Sequence, residues 1–364
     1  MTPAARRPPQ QPPPLPSTAP PPQRTGGAFG LARRARGVLR RVPVWAWRAL
    51  MHSLGPAEKA RFNADPIAGV DYSLDIDFVG DGIRAHRLDV ITPAASGSRP
   101  DGGQLPVYVY FHGGGWTSGD KASLTKYCAS QAAGGMVAVN VNYRRAPRFH
   151  MAHVLQDANA ALAWVRDNIA NYGGDPARIV LGGDSAGGQI AALLTAASFR
   201  PELAGHYALQ PATPGSSLRG LVQHCSVVDF SVFFEKGFVL SLNFVRMLLP
   251  RSARSAGRQR SPGGQRSAEL RAELRAAAGF LSPIEWLDAR FPPVFVTTSE
   301  RDFFYAANLN FIQRLRDHEV RVDSLIYGWD APNTEHTWQQ DFRYPESQEV
   351  YHRLHAFVQR VAAD

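Results

Sequence analysis

The run Arg178-Ile179-Val180-Leu181-Gly182-Gly183-Asp184-Ser185-Ala186-Gly187-Gly188-Gln189-Ile190-Ala191-Ala192-Leu193-Leu194 passes from a short apolar segment into a helical pattern, with a serine flanked by glycines at the junction. An apolar run of this length before a turn reads as a buried strand, and the repeat after it as a helix. A Cβ at Gly183 or Gly187 would collide where strand and helix backbones approach, and the sharp turn pushes the Ser185 hydroxyl outward. A plain glycine-serine turn would share the five letters Gly183 to Gly187, so the flanking strand and helix carry the argument.

A second stretch answers the first. Leu105-Pro106-Val107-Tyr108-Val109-Tyr110-Phe111 reads as a strand and runs directly into His112-Gly113-Gly114-Gly115-Trp116. Consecutive glycines let the main chain turn its N–H groups toward one point, where they can hold the oxygen of an attacked carbonyl. The expected donors are the amides of Gly113, Gly114 and Ala186, with Trp116 beside the bound substrate. A phosphate cradle is the competing use of such a loop. However, Gly-Lys-Ser/Thr is absent, as is Gly-x-Gly-x-x-Gly opening a helix. His112 reads as a structural loop residue.

His112 to Trp116, Asn142-Tyr143-Arg144-Arg145-Ala146-Pro147 and Gly182 to Gly188, in that order, resemble the hormone-sensitive-lipase-like branch of the α/β-hydrolase esterases. The resemblance covers about residues 70 to 362. It implies an α/β-hydrolase fold: a mostly parallel eight-stranded sheet with helices on both faces and a cap. It also implies a triad in the chain order Ser, Asp or Glu, His.

Downstream of Ser185, the apolar run Pro293 to Ser299 ends in Glu300-Arg301-Asp302. Asp302 stands at the family's Asp position, and Glu300 is the competitor two residues away. Four histidines follow: His318, His336, His352 and His355. Only His336 falls in the loop after the last strand pattern, Val320 to Tyr327; His318 precedes that strand, and His352 and His355 lie in the terminal helix pattern. The family usually reads His-Gly-Phe here, whereas this chain has His336-Thr337-Trp338, which alters the pocket beside the base.

The activity implied is hydrolysis of short to medium acyl or aryl esters through an acyl-enzyme, with a small-molecule ester as partner. An amide or formamide hydrolase or deacetylase is a variant on the same triad. A non-catalytic ligand-binding protein on the same scaffold is the alternative of another class. None of these roles calls for a cofactor, and no Cys-x-x-Cys or His-Glu-x-x-His spacing suggests a metal.

Strand patterns fall at about 72–79, 84–91, 105–111, 136–142, 178–183, 220–226, 293–299 and 321–327, alternating after the third with helical patterns. Such alternation implies a parallel sheet covered on both faces. Residues 66–364 form the expected catalytic domain. An insertion at about 227–285 is too long for an ordinary loop. Its aromatic start, Phe230 to Leu240, suggests a cap lining an acyl pocket. Arg251 to Arg266 carries five arginines and no acid.

The formal charge of +9 is concentrated at one end. Nine arginines and no acidic residue precede Glu58, leaving 31 basic and 31 acidic residues in the rest of the chain. Residues 1–26 are Pro-rich and cannot build a core, so disorder is expected. Residues 27–65 read as two basic amphipathic helices, the first through Val42 and the second from Val44 to Leu54. They serve either as part of the cap or as a peripheral foot on an anionic membrane. Nothing beyond a charged tail suggests nucleic acid. Two cysteines, Cys128 and Cys225, suggest no disulfide framework, which suits a cytoplasmic setting.

Overall fold

The strands that carry the glycine-rich loop and the serine lie side by side at the centre of an eight-stranded sheet ordered β1-β2-β4-β3-β5-β6-β7-β8. The computed structural model describes residues 42–94, 103–235, 241–250 and 265–363. The Pro-rich segment 1–26, the first basic helical pattern up to residue 41 and most of the arginine-rich stretch 251–266 lie outside the described residues.

The strands are β1 (Val70–Asp77), β2 (Arg87–Pro93), β3 (Leu105–Phe111), β4 (Val137–Val141), β5 (Gly174–Asp184), β6 (Leu218–His224), β7 (Val294–Ser299) and β8 (Val322–Tyr327). β1 pairs antiparallel with β2, and β2 with β4; every other neighbouring pair is parallel. The helices are α1 (Val42–Phe62), α2 (Thr125–Ala133), α3 (Met151–Asn168), α4 (Ala186–Ala197), α5 (Pro201–His206), α6 (Ser241–Leu248), α7 (Gln265–Gly279), α8 (Tyr305–Asp317) and α9 (Pro345–Ala363).

β4 and residues 179–184 of β5 are buried on both faces, as the apolar runs Val137–Val139 and Ile179–Leu181 within them require. The core accordingly divides into two apolar clusters. One holds Val109, Phe111, Leu155, Leu181 and Ile190; the other holds Tyr108, Tyr110, Tyr127, Phe295 and Phe357. Odd and even positions of β3 thus face opposite clusters, which is the two-residue strand period seen from inside.

Several boundaries differ from expectation: the strand expected at 84–91 runs Arg87–Pro93 after a 3-10 turn at Arg84–His86, and that at 178–183 extends over Gly174–Asp184. Two further differences have identifiable reasons. The first strand stops at Asp77 although Phe78 and Val79 continue its apolar pattern. The Asp77 carboxylate accepts the N–H groups of Val79, Gly80 and Gly82, winding the chain into a turn. The second helical pattern does not begin after Pro43. α1 starts at Val42, so Pro43 sits in the first turn, where its missing N–H costs nothing.

The cap expectation at 227–285 corresponds, among described residues, to a 3-10 turn at Phe230–Phe234 followed by α6 and α7. α1 adds a further element: Val44 is buried, and the Trp47 ring meets Phe244 of α6 edge-on at 6.1 Å. The opposite face of α1 leaves Trp45 and Leu50 about half exposed, at 49% and 53%.

Candidate active site

Strands β3, β5, β7 and β8 all end on the same side of the sheet, and the loops that follow them meet there. Ser185 occupies the turn between β5 and α4 at φ 51°, ψ −116°, a conformation that L side chains rarely adopt. The turn is held from outside, because Ser185 N–H donates to the carbonyl of His224 at 2.9 Å. The glycines permit it. A Cβ on Gly187 would lie 1.9 Å from the Phe111 carbonyl oxygen, and one on Gly183 would lie 2.4 Å from the backbone of Gly187.

His336 comes from the loop after β8. Its Nε2 lies 3.0 Å from Ser185 Oγ, placed to accept the hydroxyl proton, and its Nδ1–H donates to Asp302 Oδ1 at 2.7 Å. Asp302 is buried, and its second oxygen accepts the Thr298 hydroxyl at 3.1 Å. Glu300 turns outward instead, accepting the Trp329 N–H at 2.8 Å. Of the other histidines, His318 caps the end of α8, His352 is exposed on α9, and His355 contacts Gln131 at 3.0 Å. Three side chains singled out from sequence, Ser185, Asp302 and His336, therefore stand in one chain of hydrogen bonds.

The glycine loop requires a correction. Gly113 does not offer its N–H to the space above Ser185: it donates to Asp184 Oδ1 at 2.9 Å. The amides of Gly114, Gly115 and Ala186 have no acceptor among the described residues. Gly115, not Gly113, thus completes the set of free donors. Gly114 and Gly115 both have positive φ, 106° and 56°, which brings the loop round.

Asp184 ties the site together. Its carboxylate accepts Tyr110 Oη–H at 2.8 Å and Gly113 N–H on one oxygen, and the Gln340 amide at 2.8 Å on the other. Nucleophile turn, glycine loop and histidine loop are thereby joined through one buried acid. Burial pushes its carboxyl up to about 6 despite these donors. Beneath it, His112 stacks on Tyr143 with ring centres 4.5 Å apart and is held neutral, its burial pulling it down to about 4. His112 is structural, as its loop position implies.

Trp116 is buried, its indole N–H donating to Gln189 Oε1 at 2.7 Å and its ring packed among Phe230, Phe233 and Phe244. It is a fixed wall of a cavity of about 1180 Å³ that opens over Ser185 and His336. Trp47 and Met51 of α1, Phe244 of α6, and Phe303 and Phe304 beside His336 line the same cavity. Thr337, where the family usually has glycine, is held at φ 62°.

Cys225 has no signal in the sequence that ties it to this site. Its sulfur, an Asp302 oxygen and a His336 nitrogen lie within 4.8 Å of one another, the one such potential metal-ligand group among the described residues. Burial pushes the thiol well up, and Asp302 next to it does the same. It is therefore a neutral neighbour rather than a thiolate ligand, and the geometry fits the hydrogen-bonded pair already described.

The family profile described as alpha/beta hydrolase fold matches residues 108–339. Among curated proteins, the chain is similar to esterase LipQ of Mycobacterium tuberculosis, at 29% identity over 270 residues covering 71% of this chain and 56% of that protein. It is also similar to the same organism's probable carboxylic ester hydrolase LipM, at 30% identity over 277 residues covering 74% of this chain and 57% of that one. The chain thus spans a little over half the length of these relatives. Among solved structures it resembles esterase B from Lactobacillus rhamnosis, with a TM-score of 0.75 and 20% identity over 90% of this chain and 97% of that one. The Pyrobaculum calidifontis esterase superposes with a TM-score of 0.60 at 22% identity, covering 90% and 99% of the two chains. With residues 108 to 339 matched by the profile and the sheet, turn and loops in place around it, the protein belongs to the alpha/beta hydrolase fold family.

Proposed function

We propose that the protein is a serine carboxylesterase acting on short to medium acyl or aryl esters. The observation that carries this reading is the continuous contact from Ser185 Oγ through His336 to Asp302, set beside three unpaired amides. His336 Nε2 takes the hydroxyl proton as Oγ attacks the ester carbonyl. Asp302 holds the imidazole with Nδ1 protonated and stabilises the imidazolium that forms. The amides of Gly114, Gly115 and Ala186 then face the oxygen as it becomes negative, where one such donor typically contributes roughly 3 to 4 kcal/mol. His336 returns the proton to the departing alkoxide, and water hydrolyses the acyl-enzyme by the same steps in reverse roles.

The aromatic cavity wall of Trp47, Trp116, Phe233 and Phe244 supports an apolar acyl or aryl group, and names of the similar proteins support the ester. The test is pre-steady-state hydrolysis of p-nitrophenyl acetate and butyrate. One equivalent of p-nitrophenol released in a burst is expected from the wild type and none from Ser185→Ala. Absence of any turnover above the Ser185→Ala rate overturns the proposal.

The exposed Trp45 and Leu50 on α1, which lie within the acid-free arginine-rich stretch before Glu58, support peripheral contact of this enzyme with an anionic membrane from the cytoplasmic side. No helix among the described residues is long and apolar enough to cross a membrane. Deletion of residues 1–42 is expected to reduce cosedimentation with phosphatidylserine vesicles; unchanged cosedimentation discards the contact.

A further inference from the structure

The segment Asn142-Tyr143-Arg144-Arg145-Ala146-Pro147 follows β4, and all but one of its polar side chains have a structural task. Asn142 Oδ1 accepts the Lys121 N–H at 2.9 Å, and Tyr143 Oη–H donates to the His112 carbonyl at 2.6 Å. Arg144 forks onto the buried Asp157, its Nε and Nη2 lying 2.9 and 2.6 Å from one oxygen. Arg145 instead lines the cavity over Ser185 and His336. Its Nη1 donates to the Gly119 carbonyl, and it has no carboxylate partner among the described residues. A Cβ built on Gly119 would lie 2.4 Å from the Gly113 carbonyl oxygen and 2.6 Å from His112 Nδ1. The Arg145 guanidinium is thus anchored on the residue that packs directly against the glycine loop.

Arg48 of α1 stands in the electrostatic field of Arg145. It is partly buried, lies over the Trp45 ring at 5.4 Å, and has no ion pair or hydrogen bond among the described residues. Burial, and then the charge of Arg145, pull it below the ordinary arginine value. The acids that line the cavity are engaged elsewhere. Asp120 accepts the Ala122 N–H and Arg84 Nη2, each at 3.0 Å, and Asp341 holds Arg61 and Arg343 at 2.9 and 2.8 Å. Glu335 faces Arg301 at 3.5 Å, and Asp184 is taken up by Tyr110, Gly113 and Gln340. Glu58 lies about 15 Å along α1 from Arg48, at 1.5 Å of rise per residue. Two like charges held near one another raise the energy of the free protein, and an anion beside them lowers it. The planar guanidinium fork matches the oxygens of a carboxylate or a phosphate.

We propose that Arg145, backed by Arg48, is an anion subsite, so that the preferred substrates are esters carrying a carboxylate or phosphate in addition to the scissile bond. This rests on the esterase reading above and names the substrate class for that same site. The acyl or aryl skeleton still meets the aromatic wall, while the guanidinium takes the charged end. It also gives α1 a part in substrate selection, because the second charge comes from that helix.

The test compares anionic esters with neutral partners of matching shape. With the charge on the alcohol half, 3-(butanoyloxy)benzoate and 3-(butanoyloxy)phenyl phosphate are each set against 3-(butanoyloxy)benzamide. With the charge on the acyl half, mono-p-nitrophenyl heptanedioate is set against its terminal amide. Each kcat/KM is measured for the wild type and for Arg145→Gln, which removes the charge and keeps a polar side chain. Dividing anionic by neutral, and wild type by variant, cancels intrinsic ester reactivity and any loss common to both esters. The anionic-to-neutral ratio is expected to fall about ten-fold in Arg145→Gln for at least one pair, the size of one hydrogen bond to a charged group. Whether the benzoate or the phosphate carries the larger fall identifies the anion. A ratio that moves less than about two-fold in every pair overturns the inference while leaving ester hydrolysis intact. Independently of the variant's folding, added sodium chloride is expected to lower the wild type's kcat/KM for the preferred anionic ester relative to its neutral partner. An equal salt response within every pair overturns the inference. A wild type that neither hydrolyses these esters nor reacts with a fluorophosphonate overturns the esterase reading and this inference with it.

Discussion

Asp184→Asn separates the electrostatic cost of the buried acid from its hydrogen bonds. The carbonyl of the introduced amide can still accept from Gly113 N–H and Tyr110 Oη–H, and its NH₂ meets Gln340, whose own amide presents its oxygen after a half-turn. What disappears is the titration. In the folded protein the Asp184 carboxyl lies at about 6 against an ordinary 3.8, because burial disfavours its charge. That gap corresponds to roughly 3 kcal/mol of preference for the protonated form. The stabilising effect of holding that proton is fully present below the unfolded value and is lost as pH rises through about 6. Between about pH 5 and pH 7 a little under half of it is lost, about 1.3 kcal/mol, and the amide variant has no such loss. His112 and His224, held neutral by burial at about 4 and about 3, oppose this trend, since their stabilising effect is present above the unfolded histidine value and lost as pH falls. Those contributions are common to both proteins and cancel in the comparison. Urea unfolding of wild type and Asp184→Asn at about pH 5, 6 and 7 is expected to show the variant gaining about 1.3 kcal/mol relative to wild type across the range. A difference that stays flat, or runs the other way, refutes the assignment of Asp184 as a buried acid that loses its proton at a cost.

Further outcomes follow from the same geometry. Asp302→Asn keeps the shape but offers Nδ1 the wrong partner, so kcat for p-nitrophenyl butyrate is expected to drop about 10⁴-fold with little change in KM; a loss under about ten-fold would remove Asp302 from the triad in favour of Glu300. Gly114→Ala places a methyl 2.5 Å from the Ser118 carbonyl oxygen at φ 106°, whereas at Gly115 the nearest atom is 3.4 Å away. Circular dichroism melts should therefore show Gly114→Ala far less stable than Gly115→Ala, and equal melting points would contradict the loop geometry. Thr337→Gly relieves a β-branched residue at φ 62°. A stabilisation of about 0.5 to 1 kcal/mol is expected after the entropy of glycine is set against the strain, and a destabilised variant would show the threonine to be well accommodated.

The parts of the molecule legible in sequence are those governed by local rules. All eight strand patterns correspond to strands, because short apolar runs, or in the edge strands β1 and β8 mixed polar and apolar runs, between turn residues leave few other uses for the chain. The serine turn is legible because Gly183 and Gly187 have local steric reasons to be glycine. Asp302 and His336 can be named because chain order and loop position leave few candidates. What escapes are contacts set by the tertiary fold. Asp184 meets Gln340 across 156 residues, and no spacing rule relates them. Which glycine amide is free depends on peptide orientation: Gly113 turns its N–H onto Asp184, while that of Gly115 has no acceptor among the described residues. Cys225 approaches the triad only because β6 and β7 are neighbours. The contact of Trp47 with Phe244 is equally invisible until α1 docks against α6.

The most direct measurement of the central claim, a nucleophilic Ser185 activated by His336, is mass spectrometry of the intact protein after exposure to a fluorophosphonate, followed by peptide mapping. A single adduct on the peptide holding Ser185 is predicted for the wild type, with His336→Ala labelled more slowly by orders of magnitude. An unlabelled wild type, or an adduct on any other residue, would contradict the account.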